Sequence, residues 1–101
     1  MTSAKRLPAL PDVPTVAESG LPNFEMVSWY GIWGPAKLPA DVAGRLHSEI
    51  NKAMQSPQVV QSLGAQAFIF SNTSAPEFAA YVKQESTKYK QLIEKANIKI
   101  D

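Results

Sequence analysis

No cysteine occurs in these 101 residues, which removes disulfides, thiolate metal ligands and thiol nucleophiles together. The compartment stays open, because a secreted protein with a large core is held by burial without cross-links. Histidine is represented once, at His47, so a histidine-based metal cluster or a Ser-His-Asp relay lacks its partners. Five glycines are present, but neither Gly-x-Gly-x-x-Gly nor Gly-x-x-x-x-Gly-Lys is spelled anywhere, and nucleotide binding has no support. No cofactor is expected. No run approaches the roughly 18 apolar residues of a membrane span. The start, Met1 to Pro8, lacks the apolar stretch of a secretory signal, so the chain as written is expected to stay in the cytoplasm. Ten basic residues against nine acidic give a net charge of +1, which argues against nucleic acid as a partner.

What the chain does have is 45% hydrophobic residues, enough for one globular domain at most. A chain of this size is expected to bury a little over ~60% of its unfolded surface around a modest core. Six of the eight prolines precede residue 40, and they make the first third a series of extended and turn segments. Within it, Thr15 followed by Glu18 reads as a capping box, with Gly20 stopping the turn in a left-handed conformation. Residues 25–33 are rich in β-formers, and their apolar members, Val27, Trp29, Tyr30, Ile32 and Trp33, fall on both faces. A strand covered on both sides is expected there, with Gly31 and Gly34 permitting close approach or a bend.

Beyond residue 38 the pattern turns helical. Pro39 suits a first turn, and Val42, Leu46, Ile50 and Ala53 repeat at helical spacing. Ser56-Pro57 starts a second short helix, ended by Gly64. Residues 66–71, with Phe68, Ile69 and Phe70, make the best second strand. Ser74 and Glu77 form another capping box, leading a helix of ~22 residues and roughly 33 Å. Phe78, Val82, Tyr89, Ile93 and Ala96 mark one of its faces, and Asn97 is a plausible stop. The expected fold class is mixed α/β, helix-rich after residue 38, with two to three short strands. Residues 1–101 are read as a single partial domain, in which 1–38 hold the turns and a hinge-type strand and 39–101 the helices with one strand.

Few residues offer chemistry. His47 follows core-patterned Leu46 and reads as a boundary or surface histidine. Glu18 and Glu49 would be paired carboxylates in an acid–base enzyme, but one caps a turn and the other lies on a polar helical face. For Trp29 and Trp33 core packing is favoured over ligand contact. Ser28 and Tyr30 have hydroxyls able to reach a carboxylate, with a hydrogen bond to nearby backbone as the alternative.

The order of these pieces carries a resemblance. Thr2-Ser3-Ala4-Lys5-Arg6, Pro14-Thr15-Val16-Ala17-Glu18-Ser19-Gly20, Trp29-Tyr30-Gly31, the helix from Pro39, Leu63-Gly64 and Pro76-Glu77-Phe78 follow one another as in the closing third of the substrate-binding proteins of tripartite tricarboxylate transporters, the Bug or TctC family. The resemblance implies the carboxyl-terminal part of a two-lobed type II periplasmic-binding-protein-like fold, with no catalytic role. It implies a small organic carboxylate of the di- or tricarboxylate class as ligand, the transporter's membrane permease subunits as partners, and a periplasmic location for the full-length family. It also places Thr2 and Ser3 beside the cleft, at a strand end of the kind where open α/β sheets collect ligands. The candidate ligand-binding residues are therefore Thr2, Ser3, Ser28, Trp29 and Tyr30; Lys5 and Arg6 would add positive potential there, but a solvent-facing basic pair is the favoured reading. A second reading belongs to another class: a homodimer, domain-swapped through the Val27–Trp33 strand and the C-terminal helix, acting as an interaction module without a solute site.

Overall fold

Helix in this protein begins only at residue 40. The computed structural model describes residues 1–100 and contains three α-helices: α1 at Ala40–Met54, α2 at Pro57–Ala65 and α3 at Ala75–Lys95. The chain divides into two units, one from Met1 to Ile69 and one from Phe70 onward.

In the first unit, α1 starts one residue later than expected. Pro39 is its N-cap, at φ −55° and ψ 139°, so the pyrrolidine ends the extended entry. Asp41 in the first turn and Lys52 in the last oppose the helix dipole at both ends. Ser56 then makes the corner, its Oγ donating to Ala53 O at 2.8 Å, and Pro57 opens α2, where a missing N–H costs nothing. The stop of α2 corrects the sequence reading. Gly64 lies inside the helix, and the left-handed position falls on Ala67 at φ 62°. Ala67 N–H donates to Gly64 O and Phe68 N–H to Leu63 O, both at 3.0 Å, the two bonds of a Schellman motif.

The second unit is built on α3. Ser74 Oγ accepts from Glu77 N–H at 3.3 Å while Glu77 Oε2 accepts from Ser74 N–H at 3.1 Å, so the expected capping box forms. Asn97 takes the left-handed stop at φ 53°, and Ile98 N–H reaches back to Ile93 O at 3.0 Å.

The expected strands do not form. Among the described residues no segment is a strand, including the start at Thr2-Ser3, residues 25–33 and residues 66–71. A strand exists only where its N–H and C=O groups find a ladder. Around residue 26 the inter-segment backbone bond is Met26 N–H to Thr2 O at 2.9 Å, one bond where a ladder needs a row. The two-faced apolar pattern is therefore left uncovered. Tyr30 is 80%, Ile32 73% and Trp33 63% exposed, which overturns core packing for Trp33.

The modest core expected from composition is also missing. No apolar side chain among the described residues is buried, and the accessible surface is 8566 Å². The buried residues are polar: Thr15, 1% exposed, and Glu85, 8% exposed. Glu85 Oε1 accepts from Lys88 Nζ at 3.2 Å, whereas its Oε2 has no hydrogen-bond partner.

Candidate functional site

The most tightly bonded stretch of the first unit is the turn around Thr15. Its N–H donates to Glu18 Oε2 at 2.8 Å, and Glu18 N–H donates back to Thr15 Oγ1 at 3.1 Å, forming the reciprocal box expected from their spacing. Ser19 adds its hydroxyl to Thr15 O at 2.8 Å. Gly20 follows at φ 117°, a conformation that side chains rarely adopt.

A partner not foreseen from the sequence joins this turn. Arg6 Nε donates to Glu18 Oε2 at 2.9 Å and Oε1 at 3.2 Å, and its Nη1 donates to Pro11 O at 2.9 Å. The Thr15 N–H first, and the Arg6 guanidinium second, hold the Glu18 carboxyl below its usual range. The basic pair at residues 5–6 and the acid at residue 18 were both visible; their pairing across twelve residues was not. Arg6 is thus engaged by protein groups.

The five candidate ligand residues are only partly brought together. Thr2 lies beside Met26 through the 2.9 Å bond between their main chains, which puts Ser28 two residues further along. Ser3 Oγ donates to Lys5 O at 2.7 Å, so its hydroxyl proton is committed to the main chain. Trp29 packs its ring against Trp33 at 6.2 Å between centroids, and Tyr30 lies against Phe68 at 5.5 Å. The aromatic side chains therefore pair with other rings, while Thr2 and Ser28 lie on stretches joined through the Thr2–Met26 main-chain bond.

The other titratable candidates have structural neighbours. His47 Nδ1 is 3.5 Å from Asn51 Nδ2, one turn along α1, and Glu49 takes Lys52 Nζ at 3.2 Å. Glu18 and Glu49 each belong to a separate ion pair, with Arg6 and Lys52 respectively. No group of three His, Asp or Glu side chains able to hold a metal is found among the described residues. Shallow hollows lie on α3, between Ala80, Lys83, Gln84, Thr87, Lys88 and Gln91, and on α1, between Val42, Arg45, Leu46 and Glu49. Neither contains a candidate ligand residue.

The sequence that spans these elements falls in a family of transporter-linked solute receptors. Residues 1–98 match the model of the tripartite tricarboxylate transporter family receptor, and the chain belongs to that family. It is 44% identical over 95 residues to a UPF0065 protein from the tcbD-tcbE intergenic region of Pseudomonas sp. (strain P51), covering 92% of this chain and 28% of that protein. Over 61 residues it is 38% identical to a UPF0065 protein of Agrobacterium vitis, covering 60% of this chain and 18% of the relative. It is 36% identical over 64 residues to BugT of Bordetella pertussis, covering 63% and 20% respectively. The chain thus spans between 18% and 28% of the length of these relatives. No helix among the described residues is long and apolar enough to cross a membrane.

Proposed function

We propose that this chain forms part of a periplasmic solute receptor that binds a small organic carboxylate of the di- or tricarboxylate class and presents it to the permease subunits of a tripartite transporter. The family match over residues 1–98 is the observation that carries this reading. In such a receptor the mechanism is differential binding: the closed form makes more contacts with the acid than the open form, so ligand shifts the hinge equilibrium. Thr2, Ser3, Ser28, Trp29 and Tyr30 are the residues assigned to the cleft. For Ser3 to donate to a carboxylate, its hydroxyl must first leave Lys5 O, so its backbone N–H is the readier donor. The test is the thermal midpoint of the protein with and without a panel of dicarboxylates, citrate and acidic amino acids. An acid present at ~100 times its dissociation constant adds about 2.7 kcal/mol, a shift of many degrees in so short a chain. No shift with any acid, from a protein that melts cooperatively, removes the reading for this chain.

A second reading has its own support. No apolar side chain among the described residues is buried, and Tyr30, Ile32 and Trp33 in the aromatic segment and Leu92 and Ile93 on α3 are exposed. A standard protein interface covers only about 800 Å² on each partner. A second copy of the chain, domain-swapped through the Val27–Trp33 segment and the C-terminal helix, would cover part of this apolar surface. Sedimentation at micromolar concentration decides it, because a monomer under those conditions ends the homodimer reading.

A further inference from the structure

The first two residues lie between two other parts of the chain. Met1 O accepts from Val16 N–H at 2.9 Å and Thr2 O accepts from Met26 N–H at 2.9 Å. The Met1 amino group donates to Pro14 O at 2.8 Å. Successive carbonyls of extended chain point to opposite sides, so this dipeptide bridges the Pro14–Val16 turn on one side and Met26 on the other. From there the chain turns through Ser3 and Lys5 and arrives at Arg6, which grips Glu18 on the same turn that holds Met1. Leu7 N–H adds a contact to Met1 Sδ at 3.2 Å. Residues 2–5 are consequently a short loop pinned at both ends to one capped turn.

We propose that Arg6 and Glu18 are positioning residues for Thr2 and Ser3: their ion pair fixes the register of Met1–Ser3 against Val16 and Met26, and so sets the separation between the Thr2–Ser3 stretch and Ser28. The register is carried by the hydrogen bonds of Met1, Thr2 and Arg6 alone. Its meaning for ligand rests on the receptor reading, in which a carboxylate enters between these two stretches. Main-chain N–H groups and short hydroxyls serve as carboxylate donors only when held at a fixed spacing, and a loop tethered at one end would not hold it. Arg6 contributes by bracing the loop, and Glu18 occupies the guanidinium that would otherwise attract the anion directly.

The chemistry of Glu18 permits a clean separation of roles. Glu18→Gln keeps an oxygen for the Thr15 N–H but offers no charge to Arg6. Arg6→Gln leaves the Thr15–Glu18 box intact and removes the grip, while Arg6→Lys keeps the charge and loses the simultaneous reach to Pro11 O. Residue-resolved amide exchange of the 101-residue protein by NMR, with citrate titrated into the same samples, reads the result. Expected is a Thr15 amide as protected in Glu18→Gln as in the parent, with Val16 and Met26 exchanging roughly two- to fivefold faster, as suits a half-exposed ion pair. Arg6→Gln should match it, Arg6→Lys should fall between, and the α3 amides should not change. Any citrate-induced shifts at Thr2, Ser3 and Ser28 in the parent should weaken by a similar factor in the variants. Unchanged exchange at Val16 and Met26 in Arg6→Gln overturns the proposal. If the Thr15 amide is also lost in Glu18→Gln, Arg6→Gln alone decides. If citrate moves nothing in the parent protein, the receptor reading loses this site while the exchange data still settle the register.

Discussion

The stop of α2 places glycine and alanine where each would serve better in the other's position, and exchanging them is a direct test of the local geometry. Ala67 occupies a left-handed conformation at φ 62°, which costs a residue with a Cβ about 1–2 kcal/mol. Glycine there removes that strain and returns ~0.5–1 kcal/mol through its greater freedom in the unfolded chain, leaving a net gain of about 0.5–1 kcal/mol. Gly64 lies within α2, and a Cβ built on it meets nothing within 4 Å. Gly64→Ala therefore gains ~0.5–1 kcal/mol of helix propensity without a clash. The two sites share the Ala67 N–H to Gly64 O bond, so the single variants are measured beside the double one and any departure from their sum reports the coupling. The double variant Gly64→Ala/Ala67→Gly should gain about 1–2 kcal/mol, which at 4–8 °C per kcal/mol is a rise of roughly 5–15 °C in Tm. Thermal melts followed by far-UV circular dichroism measure it. A fall in Tm for Ala67→Gly alone would refute the left-handed stop, and a fall for Gly64→Ala alone would show that something approaches Gly64 that the open surface does not reveal.

Two more outcomes follow from the caps. Ser74→Ala should cost about 1 kcal/mol by deleting the acceptor for Glu77 N–H, seen as lost helicity and faster amide exchange over the first turn of α3; an unchanged first turn contradicts the capping box. The Glu18 carboxyl is held below its ordinary value of 4.5 by Thr15 N–H and Arg6. A folded-state pKa below the unfolded one gives stability that is fully present above about pH 4.5 and is lost as the pH falls through the lowered value. The Tm difference between the parent and Glu18→Gln should therefore be constant above that pH and shrink below it, and a difference that widens on acidification rules the linkage out.

The parts of this fold that were legible in the sequence are those governed within a few residues. Thr15 with Glu18 and Ser74 with Glu77 are satisfied by a box that spans one helical turn, so their spacing was sufficient. Pro39 and Ser56-Pro57 marked helix starts because proline fixes its own φ, and Asn97 marked a stop because it tolerates the left-handed region. Gly64 misled for the opposite reason: glycine permits a stop without requiring one, and the bonds of Phe68 and Ala67 put the turn three residues later. The strands were misjudged because a pattern such as Val27 to Trp33 records which faces are apolar, whereas forming a strand depends on a partner elsewhere in the chain. The same limit hid the Arg6–Glu18 pair, since nothing in either residue's neighbourhood specifies the other. Of the candidate site, the family resemblance put Thr2 and Ser3 beside a cleft, whereas the Thr2–Met26 bond and the commitment of the Ser3 hydroxyl to Lys5 O depend on how the chain folds back.

The tilted pair of indoles at Trp29 and Trp33 gives the protein an optical gauge of its own. Trp29 is half-buried and Trp33 mostly open, so the emission of the pair reports directly on whether water still reaches that segment. A surface that docks over residues 27–33 would displace the water and move the fluorescence to the blue. An acid received in the cleft would dry Trp29 at most and leave most of Trp33 wet, so its shift would be the smaller one. Assembly and solute capture can thus be told apart in one cuvette, without a label.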